Sequence, residues 1–187
     1  MNHALYLRVH SDRFNHYEIE SMLNAFVREV HWIDERNLKA ELDDFGRVQL
    51  KLMFASFQHD LGIILTGVLG FDADEIMNAF LDFVSENRPG KLIGASEALL
   101  LAQILKQNGL MIMLDRHFGK INRDEMETAR MYLETGRNVN ASAQHLYLHR
   151  NTFRYRLNKF IAKTRLDIRE IDQGKLMETW FLLKEMD

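Results

Sequence analysis

Hydrophobic and polar positions alternate along ALYLRVHS, residues 4–11, and predict a strand. The period changes in HYEIESMLNAFVREV, residues 16–30. There Ile19, Met22, Leu23, Phe26, Val27 and Val30 recur at helical spacing and predict a helix. Residues 31–45 show no clear period. After Gly46 the chain alternates again through RVQLKLMFASF, residues 47–57, with Val48, Leu50, Leu52 and Phe54 as its apolar set. LGIILTGVLG, residues 61–70, is a second β-like run. Joined through Gln58-His59-Asp60, the two predict a hairpin. ADEIMNAFLDFVSEN, residues 73–87, predicts an amphipathic helix with acidic residues in its first turn, where the helix dipole favours them. Residues 1–90 therefore read as an α+β layer in the order β-α-β-β-α.

Asn87-Arg88-Pro89-Gly90 breaks the pattern and holds the only proline of the chain. Beyond it, Ser96 is expected to cap an apolar helix, SEALLLAQILKQN, that ends at Asn108-Gly109. LMIML, residues 110–114, fits either a short strand or more helix. These two runs suit a core or a dimer surface better than a ligand box. From Asn122 the signals sharpen. Asn122 with Glu125 forms a capping-box pattern, Met126, Ala129, Tyr132 and Leu133 share one face, and Gly136 stands where a helix ends. Asn140 is expected to cap a second, short helix, ASAQHL. Tyr147-Leu148-His149 reads as a turn, and a third helix runs from about Arg150 to Thr164. Helix, short helix, three-residue turn and helix is the helix-turn-helix plan. The expected division is an α+β domain over 1–115, for sensing, dimerisation or both, and an all-α helix-turn-helix domain over 120–187.

Charge adds what periodicity leaves out. The chain of 187 residues has a formal net charge of -3, but the charge is unevenly placed. Residues 123–187 hold 12 Lys and Arg against 10 Asp and Glu, and residues 1–122 hold 12 against 17. Between Glu134 and Asp167 there is no carboxylate, yet there are seven basic residues. That is a local positive field inside an acidic protein. Composition is otherwise ordinary for a globular protein, at 47% hydrophobic and 27% charged. The absence of cysteine excludes disulfides and thiolate zinc sites and suits a reducing cytosol. The apolar run near the N-terminus is too short for a signal peptide or a membrane span, so a cytoplasmic location is expected.

On the third helix, Phe153, Leu157, Phe160 and Ile161 fall on one face and form its core side. Asn151, Tyr155, Asn158 and Lys159 fall opposite, and Thr152, Arg154 and Arg156 sit on the shoulders. This distribution suits a recognition helix, whose N-terminal residues meet base edges in the major groove while its flanks meet phosphates. Arg clamps guanine and Asn clamps adenine through paired hydrogen bonds, which points to Arg150 and Asn151, with Tyr155 beside them, as base readers. Thr152, Arg154, Arg156 and Lys159 are assigned mostly to phosphates. Asn140 and Ser142 open the preceding helix, whose N–H groups are expected to hold another phosphate. His149 is assigned to the turn or to a phosphate.

The string GRNVNASAQHLYLHRNTFRYRLNKF, followed by TRLDI, resembles the C-terminal helix-turn-helix of the PucR family, which includes the carbohydrate-diacid regulators. Asn138, Val139, Ala141, Ala143, Leu146, His149 to Thr152 and Arg154 to Leu157 match that pattern directly. Asn140 stands for its usual Ser, Phe153 for Leu and Arg165 for Gly. The wider pattern also resembles the Fis-type helix-turn-helix. The resemblance covers Glu125 to Ile168. It implies a bacterial-type DNA-binding transcriptional regulator, not an enzyme, that acts on double-stranded DNA; a homodimer is expected because one such helix reads too few base pairs for useful specificity. Regulators of this kind often carry an α+β domain similar in outline to a degenerate diguanylate-cyclase (GGDEF-like) fold, with which residues 1–90 are compatible. No GGDEF or GGEEF string occurs, so no cyclase activity is inferred. The family often has a further sensory domain upstream, for which a chain of this length is expected to leave no room. The alternative reading is a Fis-like architectural protein that bends DNA with loose sequence preference.

Other constellations are weaker. His145 and His149 stand four apart, half of a zinc pattern on a continuous helix, but they straddle the expected turn and no third ligand is evident. His59-Asp60 is a lone pair on the expected hairpin tip. Gly62, Gly67 and Gly70 lack the Gly-Lys-Ser/Thr of a phosphate loop and read as structural. No nucleophile elbow or Ser-His-Asp set is evident. No metal or cofactor is expected. A small-molecule effector for residues 1–115, the operator and the sign of regulation are left open.

Overall fold

The central strand, β1 (His3–Val9), is buried along almost its whole length, as a strand with helices on both sides must be. In this computed structural model, which describes residues 3–186, it pairs antiparallel with β3 (Asn37–Leu42) on one side and β4 (Leu65–Gly70) on the other. β2 (Glu29–Trp32) adds to β3 as a hairpin, and β5 (Leu92–Gly94) runs parallel to β4, giving the order β2-β3-β1-β4-β5. Leu5, Leu7 and Val9 face a core shared with α1 (His16–Leu23) and α2 (Asp44–Leu61). The opposite face of β1 turns Tyr6 towards α3 (Asp74–Asn87), where its hydroxyl donates to Asp74 Oδ1 at 2.6 Å.

Two segments depart from the pattern-based reading. Residues 47–57 are helix, not strand. Asp43 caps α2 by accepting from Gly46 N–H at 2.8 Å, Leu50, Phe54 and Phe57 are buried one turn apart, and Gly62 ends the helix with φ 63°. Val48 and Leu52, read as core partners of Leu50 and Phe54, point to solvent. Gly46 is not a turn. A Cβ there would lie 1.9 Å from the Phe26 carbonyl oxygen, so the absence of a side chain lets the helix start against that backbone. His59 and Asp60 accordingly lie in the last turn of α2 rather than on a hairpin tip. The second departure is that the helix expected over 16–30 stops at Leu23. The rest of that segment and the unassigned residues beyond it build the β2–β3 hairpin, in which Leu38, Ala40 and Leu42 are buried on alternate positions of β3. Asp34 organises its turn by accepting from the N–H groups of Arg36 and Asn37, both at 2.8 Å. Partial burial works to raise the Asp34 carboxyl, but these bonds and the Asn37 side chain outweigh it and hold the carboxyl below its ordinary range.

The chain forms two compact units, residues 1–98 and 99–187, divided within α4 (Ala95–Ile104). The expected boundary lay between 115 and 120. α4 starts one residue before the Ser96 expected to cap it, and the Glu97 carboxylate accepts from Gly94 N–H at 2.7 Å. Residues 110–114 are helical, inside α5 (Gly109–Phe118). The mixed sheet is thus followed by an all-helical unit, completed by α6 (Arg123–Glu134), α7 (Val139–His145), α8 (Arg150–Thr164) and α9 (Ile171–Met186). In that unit Trp180 of α9 packs edge-on against Phe118 and donates to Asp115 Oδ1 at 2.8 Å. Among the described residues no helix is long and apolar enough to cross a membrane.

Candidate nucleic-acid interface

α8 occupies the residues expected of it. Phe153, Leu157 and Phe160 are buried, and Ile161 is half-buried. The Phe153 ring lies 6.3 Å from that of Tyr132 on α6. His149 is the N-cap, its Nδ1 accepting from Asn151 N–H at 3.3 Å. The C-terminal end explains a departure noted in the sequence. Arg165 stands where the resembling family carries Gly, and its φ of 56° is the left-handed conformation that glycine adopts most easily. The helix still ends at Thr164, with Arg165 N–H bonded to Ile161 O at 2.7 Å.

Arg150, Asn151, Thr152, Arg154, Tyr155 and Lys159 are all exposed. The first turn of α8 holds no acidic residue and holds Arg150, a cation at the positive end of the helix dipole. This choice opposes helix stability and favours an anion outside. The Lys159 ammonium lies 4.8 Å from the centre of the Tyr155 ring, and its hydrogen bond to Tyr155 raises its pKa. Among the described residues no carboxylate pairs with Arg150, Arg154, Lys159 or Arg165.

Two basic residues of α8 are held inside the unit. Arg156, expected on a phosphate, is 2.7 Å from Asp124. Lys163 binds both oxygens of Glu125, at 2.8 and 2.7 Å, and Glu125 is buried. Asn122 does cap α6, accepting from Glu125 N–H at 2.8 Å, but the Glu125 carboxylate goes to Lys163 instead of completing the capping box. The first turn of α6 thus neutralises one flank of α8 and leaves its outward face cationic.

The opening of α7 also differs from expectation. Asn138, not Asn140, is its cap, and accepts from the N–H groups of Asn140 and Ala141 at 3.0 and 3.1 Å. Ser142 N–H is bonded to Asn138 O at 2.9 Å. The Ser142 side chain is buried between Asn138 O and Thr135 Oγ1, each at 2.6 Å. Those N–H groups have intramolecular acceptors. Asn140 itself is exposed. His145 ends α7 and His149 caps α8, so the pair does not share one helix.

Tyr147 is expected from the sequence only as part of the turn. Leu148 N–H bonds to Ala143 O and Tyr147 N–H to Gln144 O, which places Tyr147 at the helix-ending position usual for glycine. Its φ is 54° and it is 97% exposed. A left-handed backbone costs a bulky residue roughly 1–2 kcal/mol. The legible signal was a tyrosine inside a three-residue turn.

Residues 126–179 match the model of the PucR C-terminal helix-turn-helix domain. The match takes in most of α6, all of α7 and α8, and the first half of α9. A stretch of 58 residues, 31% of this chain, is 34% identical to "Uncharacterized protein YxkF" of Bacillus subtilis (strain 168) and covers 19% of that protein. Among solved structures, the regulator of polyketide synthase expression from Bifidobacterium adolescentis is similar with a TM-score of 0.47 and 18% identity, over 99% of this chain and 80% of that one.

Proposed function

We propose that the chain is a DNA-binding transcriptional regulator, that α8 enters the major groove, and that two copies act together. The observation that carries this reading is the outward face of α8, with Arg150, Arg154 and Lys159 free of carboxylate partners on a helix of PucR type. Arg150, Asn151 and Tyr155 read base edges. Thr152, Arg154 and Lys159 bind phosphates and release counterions. His149 holds the first turn of α8 in place, and Tyr147 at the tip of the turn adds a contact to the backbone or a base. Arg156 serves from the flank, anchored to Asp124. One such helix reads few base pairs, and two copies reading half-sites about 34 Å apart supply the specificity.

Selection of bound genomic fragments identifies the site, and titration with that duplex tests the roles. Arg150→Ala should weaken binding to the selected site by about 1–3 kcal/mol and leave random DNA nearly unaffected. Lys159→Ala should weaken both alike and shallow the salt slope by roughly one unit. A footprint unchanged by Arg150→Ala would remove the base-reading role. A salt slope with no preference for any site would favour the architectural reading instead.

A further inference from the structure

We propose that the outward face of α2 is the surface through which two copies of this chain associate. The proposal deepens the reading of α8 as half of a paired reader, and rests on it for its two-fold partner. The feature is a row of exposed positions. Phe45, Val48, Leu52, Ala55 and His59 follow one another by three, four, three and four residues, the spacing of a coiled-coil seam. The residues that hold α2 to its own sheet, Leu50, Phe54 and Phe57, lie on the other side of the helix. The seam is therefore surplus to the fold of its own unit. Phe45, Val48 and Leu52 are 71%, 46% and 75% exposed. Together they offer on the order of 300 Å² of apolar surface, within the range of the largest patch a monomer leaves. That is under half of the area each partner contributes to a standard interface, so the seam supplies the anchors and its polar rim the remainder.

The chemistry of the seam fits a second copy. α2 has 18 residues and is about 27 Å long, enough for several layers of a helix pair. No carboxylate, lysine or arginine interrupts the row. Its one flank carries Asp44 and Lys51, of opposite sign, so an identical helix laid antiparallel meets no net repulsion. α4 also exposes Leu100 and Ile104, with Leu105 following, but its helix ends at Ile104 and the row with it.

Sedimentation of the full chain tests the proposal, with Leu52→Glu, the milder Leu52→Gln and Ile104→Glu as variants. The wild type should sediment as a dimer, and Leu52→Glu should raise the dimer dissociation constant thirtyfold or more, that being roughly the effect of losing an interface hot spot. Leu52→Gln should raise it less, and both should keep the wild-type circular dichroism. A monomeric wild type, or a dimer weakened by Ile104→Glu and untouched by Leu52→Glu, would overturn the proposal. The Leu52→Glu monomer should still bind a single half-site and lose the gain from a second one. A dimer abolished by Leu52→Glu that binds no DNA in either state would sink the reading of α8 while supporting the α2 interface.

Discussion

α2 and α8 bury the same spacing and expose opposite chemistry. Leu50, Phe54 and Phe57 hold α2 to its sheet, and Phe153, Leu157 and Phe160 hold α8 to its helices, each set following the intervals four and three. The opposite face of α2 carries Phe45, Val48 and Leu52. The opposite face of α8 carries Asn151, Tyr155 and Lys159, with Arg150 and Arg154 beside them. Two helices that their own folds treat alike are thus prepared for different surroundings. The buried face determines where a helix sits in its unit, and the remaining face determines what can approach it. Apolar surface left in water favours another apolar surface, and unpaired cations favour a polyanion.

The comparison is sharpened most by attacking the faces that match. Phe54→Ala and Phe153→Ala should each lower stability by about 3–5 kcal/mol, seen as a fall in the denaturant midpoint. If only one of the two did so, the buried faces would not be equivalent. A smaller loss is expected on the flank that α8 alone has. Lys163→Met strands the buried Glu125 carboxylate and should cost roughly 3 kcal/mol, with much of it recovered in the double variant Glu125→Met/Lys163→Met. An unchanged melt for Lys163→Met would mean that the carboxylate finds water instead. The smallest effect tests the outward side. Tyr147→Gly relieves the left-handed backbone and should raise stability by about 1 kcal/mol while weakening DNA binding. A gain in stability with binding unchanged would leave Tyr147 without a role at the interface.

Legibility followed the distance over which the deciding interaction acts. In α8 the cap, the apolar interval and the run without carboxylates lie within one stretch of chain, and the bounds Arg150–Thr164 could be read from it. In α2 the apolar set Val48, Leu50, Leu52 and Phe54 suits a period of two as well as a helix whose exposed face is also apolar. The local signals that separate them were the cap at Asp43 and the left-handed Gly62, set 19 residues apart. At α7 two asparagines two residues apart competed for one cap, and composition could not choose between Asn138 and Asn140. The β2–β3 hairpin was hidden for another reason. Its edge strand alternates, with Val30 and Trp32 inward and Glu29 and His31 outward, but over only four residues, and Val30 also continues the helical interval of the residues before it.

By itself the sequence determined that a mixed α+β region precedes a helix-turn-helix, where the cationic helix begins and ends, and which of its residues face the core. Those properties depend on neighbours within a few turns. Only the tertiary structure decided that α2 is a helix with an unused apolar face, and that Asp124 and Glu125 withdraw Arg156 and Lys163 from the cationic surface. Those ion pairs join residues more than 30 positions apart. Their energy exists only once packing brings the partners within a few ångströms, and no local period records it.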